Sequence, residues 1–255
     1  MADETDEEMV TQNGLALKKI PKALRTEGVC LAAVMQNGLA LKYVPKALRS
    51  ESLCLDAARR NGRALKYVPK SIKTEAFLVA AVGQSIFLDI VPQITYIKAG
   101  VRSEKLGIVE YKGIELKDVP KALRTEAVCL AAVKEKGWAL ENVPKKLRTE
   151  TVCLAAVMQY GLALQYVPKA LRTEAMCFAA VHSDGVALVY VPEALRTETL
   201  CFEAVKKQGW ALLHIPEALR TAAFYLAAVR QNEKALEYVP EELREEVRRR
   251  INNGE

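Results

Sequence analysis

The chain has 255 residues, of which 51% are hydrophobic and 27% charged, with a formal net charge of +6. This composition supports a buried core and excludes compositional disorder, and the charge is too modest to demand a nucleic-acid partner by itself. The longest wholly apolar run, Ala222 to Val229, falls well short of the roughly 20 residues that cross a bilayer, so no membrane association is expected.

Residues 1–8 form an acidic leader containing Asp3, Glu4, Asp6, Glu7 and Glu8, with no apolar stretch behind it. That argues against a secretory signal and against a mitochondrial transit peptide, and a cytoplasmic protein is expected. Behind the leader the chain repeats. Its ten prolines are Pro21, Pro45, Pro69, Pro92, Pro120, Pro144, Pro168, Pro192, Pro216 and Pro240. The gaps between them are 24, 24, 23, 28, 24, 24, 24, 24 and 24 residues, and no proline lies outside the series. A fixed period of this size marks a stack of supersecondary modules. The module reads G-x-A-L-x-Y-V-P-K-A-L-R-T-E-x-V-C-L-A-A-V-x-x-x.

Each part of the module has a local reading. Proline lacks an amide donor and fixes φ, so it opens a short turn of helix. Five residues later Thr26, Thr125, Thr149, Thr173 or Thr197 is placed to cap a second helix. The glutamate that follows sits in the first turn, where the helix dipole favours an anion. The third helical position is apolar, so no capping box forms there. An apolar run such as Val152-Cys153-Leu154-Ala155-Ala156-Val157 then gives about three turns of helix. Gly161 and its equivalents are expected to stop that helix in the left-handed conformation. Helices this short are marginal alone, and this one is apolar nearly all round, so it needs neighbours on both flanks. The expected fold is an all-α solenoid of about ten 24-residue helical repeats with an irregular central repeat. Adjacent alanines, such as Ala155-Ala156, allow stacked helices to approach closely.

Residues 9–91 are the N-terminal repeats. Residues 92–119 are the irregular central repeat, 28 residues long and without the Arg-Thr-Glu string or the cysteine. It contains Tyr96 and Arg102, and reads either as a junction between duplicated blocks or as a bend that shapes a binding surface. Residues 120–239 are the C-terminal repeats. Residues 240–255 form a capping helix that keeps few apolar positions and is otherwise charged.

The string Ala40-Leu41-Lys42-Tyr43-Val44-Pro45-Lys46-Ala47-Leu48-Arg49, followed by Cys54 and by Asn61-Gly62, resembles the proline–leucine–arginine tandem repeat of bacterial and protist proteins, a domain of unknown function. The 24-residue period is more weakly similar to the leucine-rich repeat variant, in which α- and 3₁₀-helices alternate. The resemblance implies an all-helical repeat and brings no catalytic residue with it.

Six cysteines recur nine residues after their prolines, at Cys30, Cys54, Cys129, Cys153, Cys177 and Cys201. Equivalent points on stacked helices lie about 8–10 Å apart, too far for a disulfide, and no Cys-x-x-Cys pair suggests zinc. They read as buried thiols, and no metal or cofactor is expected. Arginines recur at Arg25, Arg49, Arg124, Arg148, Arg172, Arg196, Arg220 and Arg244. Arginine and glutamate two residues apart do not face each other on one helix, so pairing would run from one repeat to the next. The competing reading is an arginine stripe for phosphate or an acidic partner. No hydrolase or phosphate-loop motif occurs, and a non-enzymatic protein is expected.

The informative positions vary while the frame stays constant. The residue after the glycine reads Leu39, Arg63, Trp138, Leu162, Val186, Trp210, and three residues later it reads Lys42, Lys66, Glu141, Gln165, Val189, Leu213. Trp138 and Trp210 are either anchors for a protein partner or lids over the neighbouring helix. Charge is uneven: residues 21–167 carry +10 and residues 168–239 carry none. Arg59, Arg60, Arg63 and Lys66 cluster within one repeat. The expected function is a repeat scaffold that binds a macromolecular partner, foremost a protein, as adaptor or inhibitor. The alternative is nucleic-acid binding through the basic stretches at residues 59–66 and 121–148.

Overall fold

The computed structural model describes residues 5–83 and 114–253, and every element among them is helical. Tyr96, Arg102 and nearly all of the central repeat lie outside the described residues. The chain forms two compact blocks, Met1–Leu123 and Arg124–Glu255. The N-terminal block contains α1 (Asp6–Gln12), α2 (Glu27–Gln36), α3 (Glu51–Arg60) and α4 (Glu75–Val82). The C-terminal block contains α5 (Glu126–Glu135), α6 (Glu150–Gln159), α7 (Glu174–Ser183), α8 (Glu198–Lys207), α9 (Ala222–Gln231) and α10 (Glu241–Asn252). Within each block consecutive α-helices pack side by side in chain order, and the fold is an α-solenoid.

A second layer runs alongside the α-helices. After α2, α3 and α5 to α9 the chain turns straight into a 3₁₀-helix of six residues, such as Gly38–Tyr43 or Gly161–Tyr166, and after α1 into one of five, Gly14–Lys18. These helices stack on one another and against the α-layer. Sequence reasoning stopped each repeat at the glycine and missed this element. Its mark was in the spacing, since Gly161, Leu164 and Val167 are buried three residues apart, the period of a 3₁₀-helix. The proline-led element is a third, shorter 3₁₀ turn, as in Lys169–Leu171, with Pro168 at its cap and its carbonyl accepting from the Leu171 amide at 2.9 Å.

Threonine caps the α-helices as expected. The Thr149 hydroxyl accepts from the Val152 amide at 3.4 Å, and Ser50 serves α3 in the same way. The N-terminus differs from the expected leader: Asp6, Glu7 and Glu8 form the first turn of α1, and Thr5 and Glu8 close a capping box. In the α-helices the pattern of Val152, Cys153, Ala156 and Val157 is buried in every full repeat. Of the pairs Ala32-Ala33, Ala131-Ala132, Ala155-Ala156 and Ala179-Ala180 only the second alanine is buried; Ala155 is half-exposed.

The left-handed glycine is corrected. None of the repeat glycines has a positive φ. They are needed because two backbones nearly touch. A Cβ on Gly161 would collide with the Ala180 carbonyl of the next repeat, and one on Gly209 would lie 2.7 Å from the Ala228 carbonyl. Gly62 breaks the series, since it faces the Asp118 carboxylate, and its 3₁₀-helix packs beside the turn Leu116–Asp118.

The arginine ladder is structural, but its partners are not the glutamates of the next repeat. Arg172 Nε donates to the Val167 carbonyl at 3.0 Å and Nη2 to Gln165 at 3.1 Å, both at the end of its own 3₁₀-helix. Its Nη1 donates to the Tyr190 carbonyl of the following repeat at 2.8 Å. Arg25, Arg49, Arg148 and Arg196 repeat this three-way clamp. A planar guanidinium fits because three carbonyls at the end of 3₁₀-helices lack internal donors. One first-turn glutamate, Glu126, is bonded across repeats, where it accepts from the Thr149 hydroxyl at 2.8 Å.

Candidate interaction surface

The 3₁₀ layer decides what faces outward. Residues three apart on a 3₁₀-helix eclipse one another, so the two varying positions of the repeat share one face. In the C-terminal block this face carries Trp138 and Glu141, Leu162 and Gln165, Val186 and Val189, and Trp210 and Leu213, on successive helices. Trp138 is 37% exposed, Trp210 39% and Leu213 46%. Leu162 and Val186 are half-buried.

The two tryptophans are held differently. The Trp210 ring meets Tyr238 of the next repeat edge-on, with centroids 5.5 Å apart. Trp138 has Lys136 over its ring at 5.7 Å. Neither side chain is fully covered, so each keeps an apolar edge toward solvent. The two rings belong to repeats separated by two others and do not meet.

The clustered arginines are held in different ways. Arg59 lies in α3 and donates from Nη2 to the Ala80 carbonyl of α4 at 3.1 Å, which ties two neighbouring helices together. Arg60 ends α3 and is half-buried. Arg63 is exposed on the 3₁₀ face, where Lys66 eclipses it.

A second apolar row escaped the sequence reading, because an unbroken apolar run hides which side faces out. In α2, α6 and α7 the fifth position points outward. Leu31, Leu154 and Phe178 are exposed there, joined one turn on by Met35 and Met158, the latter 65% exposed. The Phe178 ring stacks on His182 of the same helix at 6.3 Å.

All six cysteines are buried and free. Burial pushes the thiols of Cys54, Cys129 and Cys153 up to about 11, against the opposing pull of Arg49, Arg124 and Arg148. The thiols of Cys30 and Cys177 donate to the Arg25 and Arg172 carbonyls at 3.7 and 3.8 Å. These are packing groups, since a thiol held neutral is a poor nucleophile and a poor ligand. Among the described residues no group of three or more histidine, cysteine or acidic side chains is arranged for a metal, and no helix is long and apolar enough to cross a membrane.

Comparison with known proteins adds one finding. A family model described as a domain of unknown function (DUF4116) matches residues 7–49, 27–73, 108–172 and 198–244. No curated protein and no solved structure matches. The matched segments take up most of the chain and follow the repeats, so the chain belongs to the DUF4116 family of repeats of unknown function.

Proposed function

We propose that this protein is a non-enzymatic scaffold that holds a protein partner against the 3₁₀ face of its C-terminal block, as adaptor or inhibitor. One observation carries the reading. The invariant residues of the repeat are used up inside the frame, whereas the varying outward positions hold Trp138, Leu162, Val186, Val189, Trp210 and Leu213. Partly exposed tryptophans on a rigid frame suit the anchor role that aromatic side chains play in interfaces. The family match and the proline–leucine–arginine spacing fit one repeat type, and neither argues for a reaction.

The test is affinity capture from native lysate with the wild-type chain and with a Trp138→Ala/Trp210→Ala variant of unchanged circular dichroism. A protein enriched by the wild type and lost from the variant supports the reading. Identical captured sets from both chains overturn it.

A further inference from the structure

The same face in the N-terminal block has a different chemistry. Its eclipsed pairs are Leu15 and Lys18, Leu39 and Lys42, and Arg63 and Lys66. We propose that this block binds the phosphodiester backbone of single-stranded nucleic acid along two parallel ladders, Lys18, Lys42, Lys66 and Lys22, Lys46, Lys70.

The ladders flank the arginine clamp. The Lys18 and Lys42 carbonyls accept from Arg25 and Arg49 Nη2, each at 3.3 Å. The Lys22 and Lys46 carbonyls accept from the backbone amides of the same two arginines, at 3.4 and 3.3 Å. Carbonyls satisfy a guanidinium without cancelling its charge, so a third positive row runs between the lysines. In the next repeat Lys73 takes the arginine's place, and burial together with nearby Lys70 holds its ammonium below the usual lysine range. Positive charge is crowded along these rows, and at the third rung a carboxylate, Asp118, faces Gly62. None of the six ladder lysines, nor Arg25, Arg49 or Lys73, is in an ion pair. All six ladder lysines are exposed.

The geometry selects the occupant. Rungs on neighbouring helices stand about 8–10 Å apart, so three rungs make a track of roughly 20 Å. That suits a flexible chain bearing one negative charge per link. Lys42 and Lys66 lie over the Tyr43 and Tyr67 rings at 5.4 and 4.8 Å, so these rings are covered and recognition falls on phosphates and not on bases. A lipid surface would call for exposed apolar side chains in the track, where Leu24 alone is strongly exposed. The charged α10 helix of a second copy is no substitute, since its four glutamates are matched by four arginines.

The experiment is fluorescence anisotropy of a labelled 20-nucleotide oligothymidylate with the full chain. Six phosphate contacts on a single strand give a salt slope of about −4, a loss of roughly 300-fold in affinity between 50 and 200 mM salt. In Lys18→Gln/Lys42→Gln/Lys66→Gln the slope should halve, leaving a loss of roughly 20-fold. Affinity at 50 mM should also fall at least about tenfold. The corresponding triple arginine variant should bind like the wild type, and so should Lys145→Gln/Lys169→Gln in the other block. Four results would each overturn the proposal: no binding at 50 mM salt, glutamine and wild-type chains that bind alike, an arginine variant that fails to bind although folded, or equal capture by polyglutamate or phosphatidylserine vesicles.

Discussion

The two blocks share a frame and differ in what they show the solvent. In both, glycine lets a 3₁₀-helix touch the next repeat, arginine ties three carbonyls, and threonine or serine starts the α-helix. Yet the paired outward positions read Leu39–Lys42 and Arg63–Lys66 in one block, and Val186–Val189 and Trp210–Leu213 in the other. Stability and surface are therefore separable in this architecture. The frame uses backbone contacts and small buried side chains, none of which constrains the two outward positions, so these can drift from basic to apolar without disturbing the stack.

The strongest way to break this comparison is through the glycines. Gly38→Ala and Gly161→Ala should each lower stability by about 3 kcal/mol or more, because the new methyl group meets the Ala57 or Ala180 carbonyl, which are backbone atoms and cannot swing aside. Gly28→Ala in α2 is the matched control. Its Cβ meets nothing within 4 Å, and better helix propensity should raise stability by up to about 1 kcal/mol. Urea midpoints decide the matter. A frame common to both blocks gives similar losses for the first two, and a tolerated Gly161→Ala would end the close-approach account.

The arginines sharpen it at the next level. Arg49 and Arg172 each satisfy three carbonyls, whereas Arg220 makes a single side-chain hydrogen bond, to Ile215 at 3.0 Å. Lysine is a point donor and cannot span the fork. Arg49→Lys and Arg172→Lys should each cost about 2 kcal/mol, and Arg220→Lys under about 1 kcal/mol. Equal costs at all three positions would show that charge, and not the clamp, is what matters.

Much of this frame was legible beforehand. The proline period gave the repeat, and the threonine caps, the buried cysteines and the stacking in chain order follow from residue chemistry that acts locally. What stayed hidden depends on the neighbouring repeat. Gly161 looks like a left-handed stop until the Ala180 carbonyl is seen against it. Arg172 suggests a carboxylate partner because charge is visible in a sequence, whereas a row of unsatisfied carbonyls is not. Leu154 looked like core because six apolar residues in a row, Val152 to Val157, carry no phase. The outward pairing of positions three apart became readable only once the segment after the glycine was known to be a 3₁₀-helix.

The smallest effect lies at His214, where one repeat of the C-terminal block places an imidazole, which titrates near neutral pH, at the position held in other repeats by Tyr43, Tyr67, Tyr166 and Tyr190. Burial, and then the Arg196 guanidinium that donates to the His214 carbonyl at 3.0 Å, hold the imidazole below its ordinary value of 6.5. As pH falls through 6.5 the unfolded chain takes up the proton first, so the stability tied to the neutral ring is complete above 6.5 and is lost as pH falls toward the folded value. The loss is small, because the ring is partly exposed and solvent screens its charge. His214→Tyr restores the repeat's usual residue and should remove that slope between pH 7.5 and 5.5 in urea titrations. A Tyr43→Phe variant in the other block retains His214 and should keep the wild-type slope. A His214→Tyr chain that weakens in acid as much as the wild type would mean that the ring's protonation is not linked to folding, and that the two blocks differ in their outward face alone.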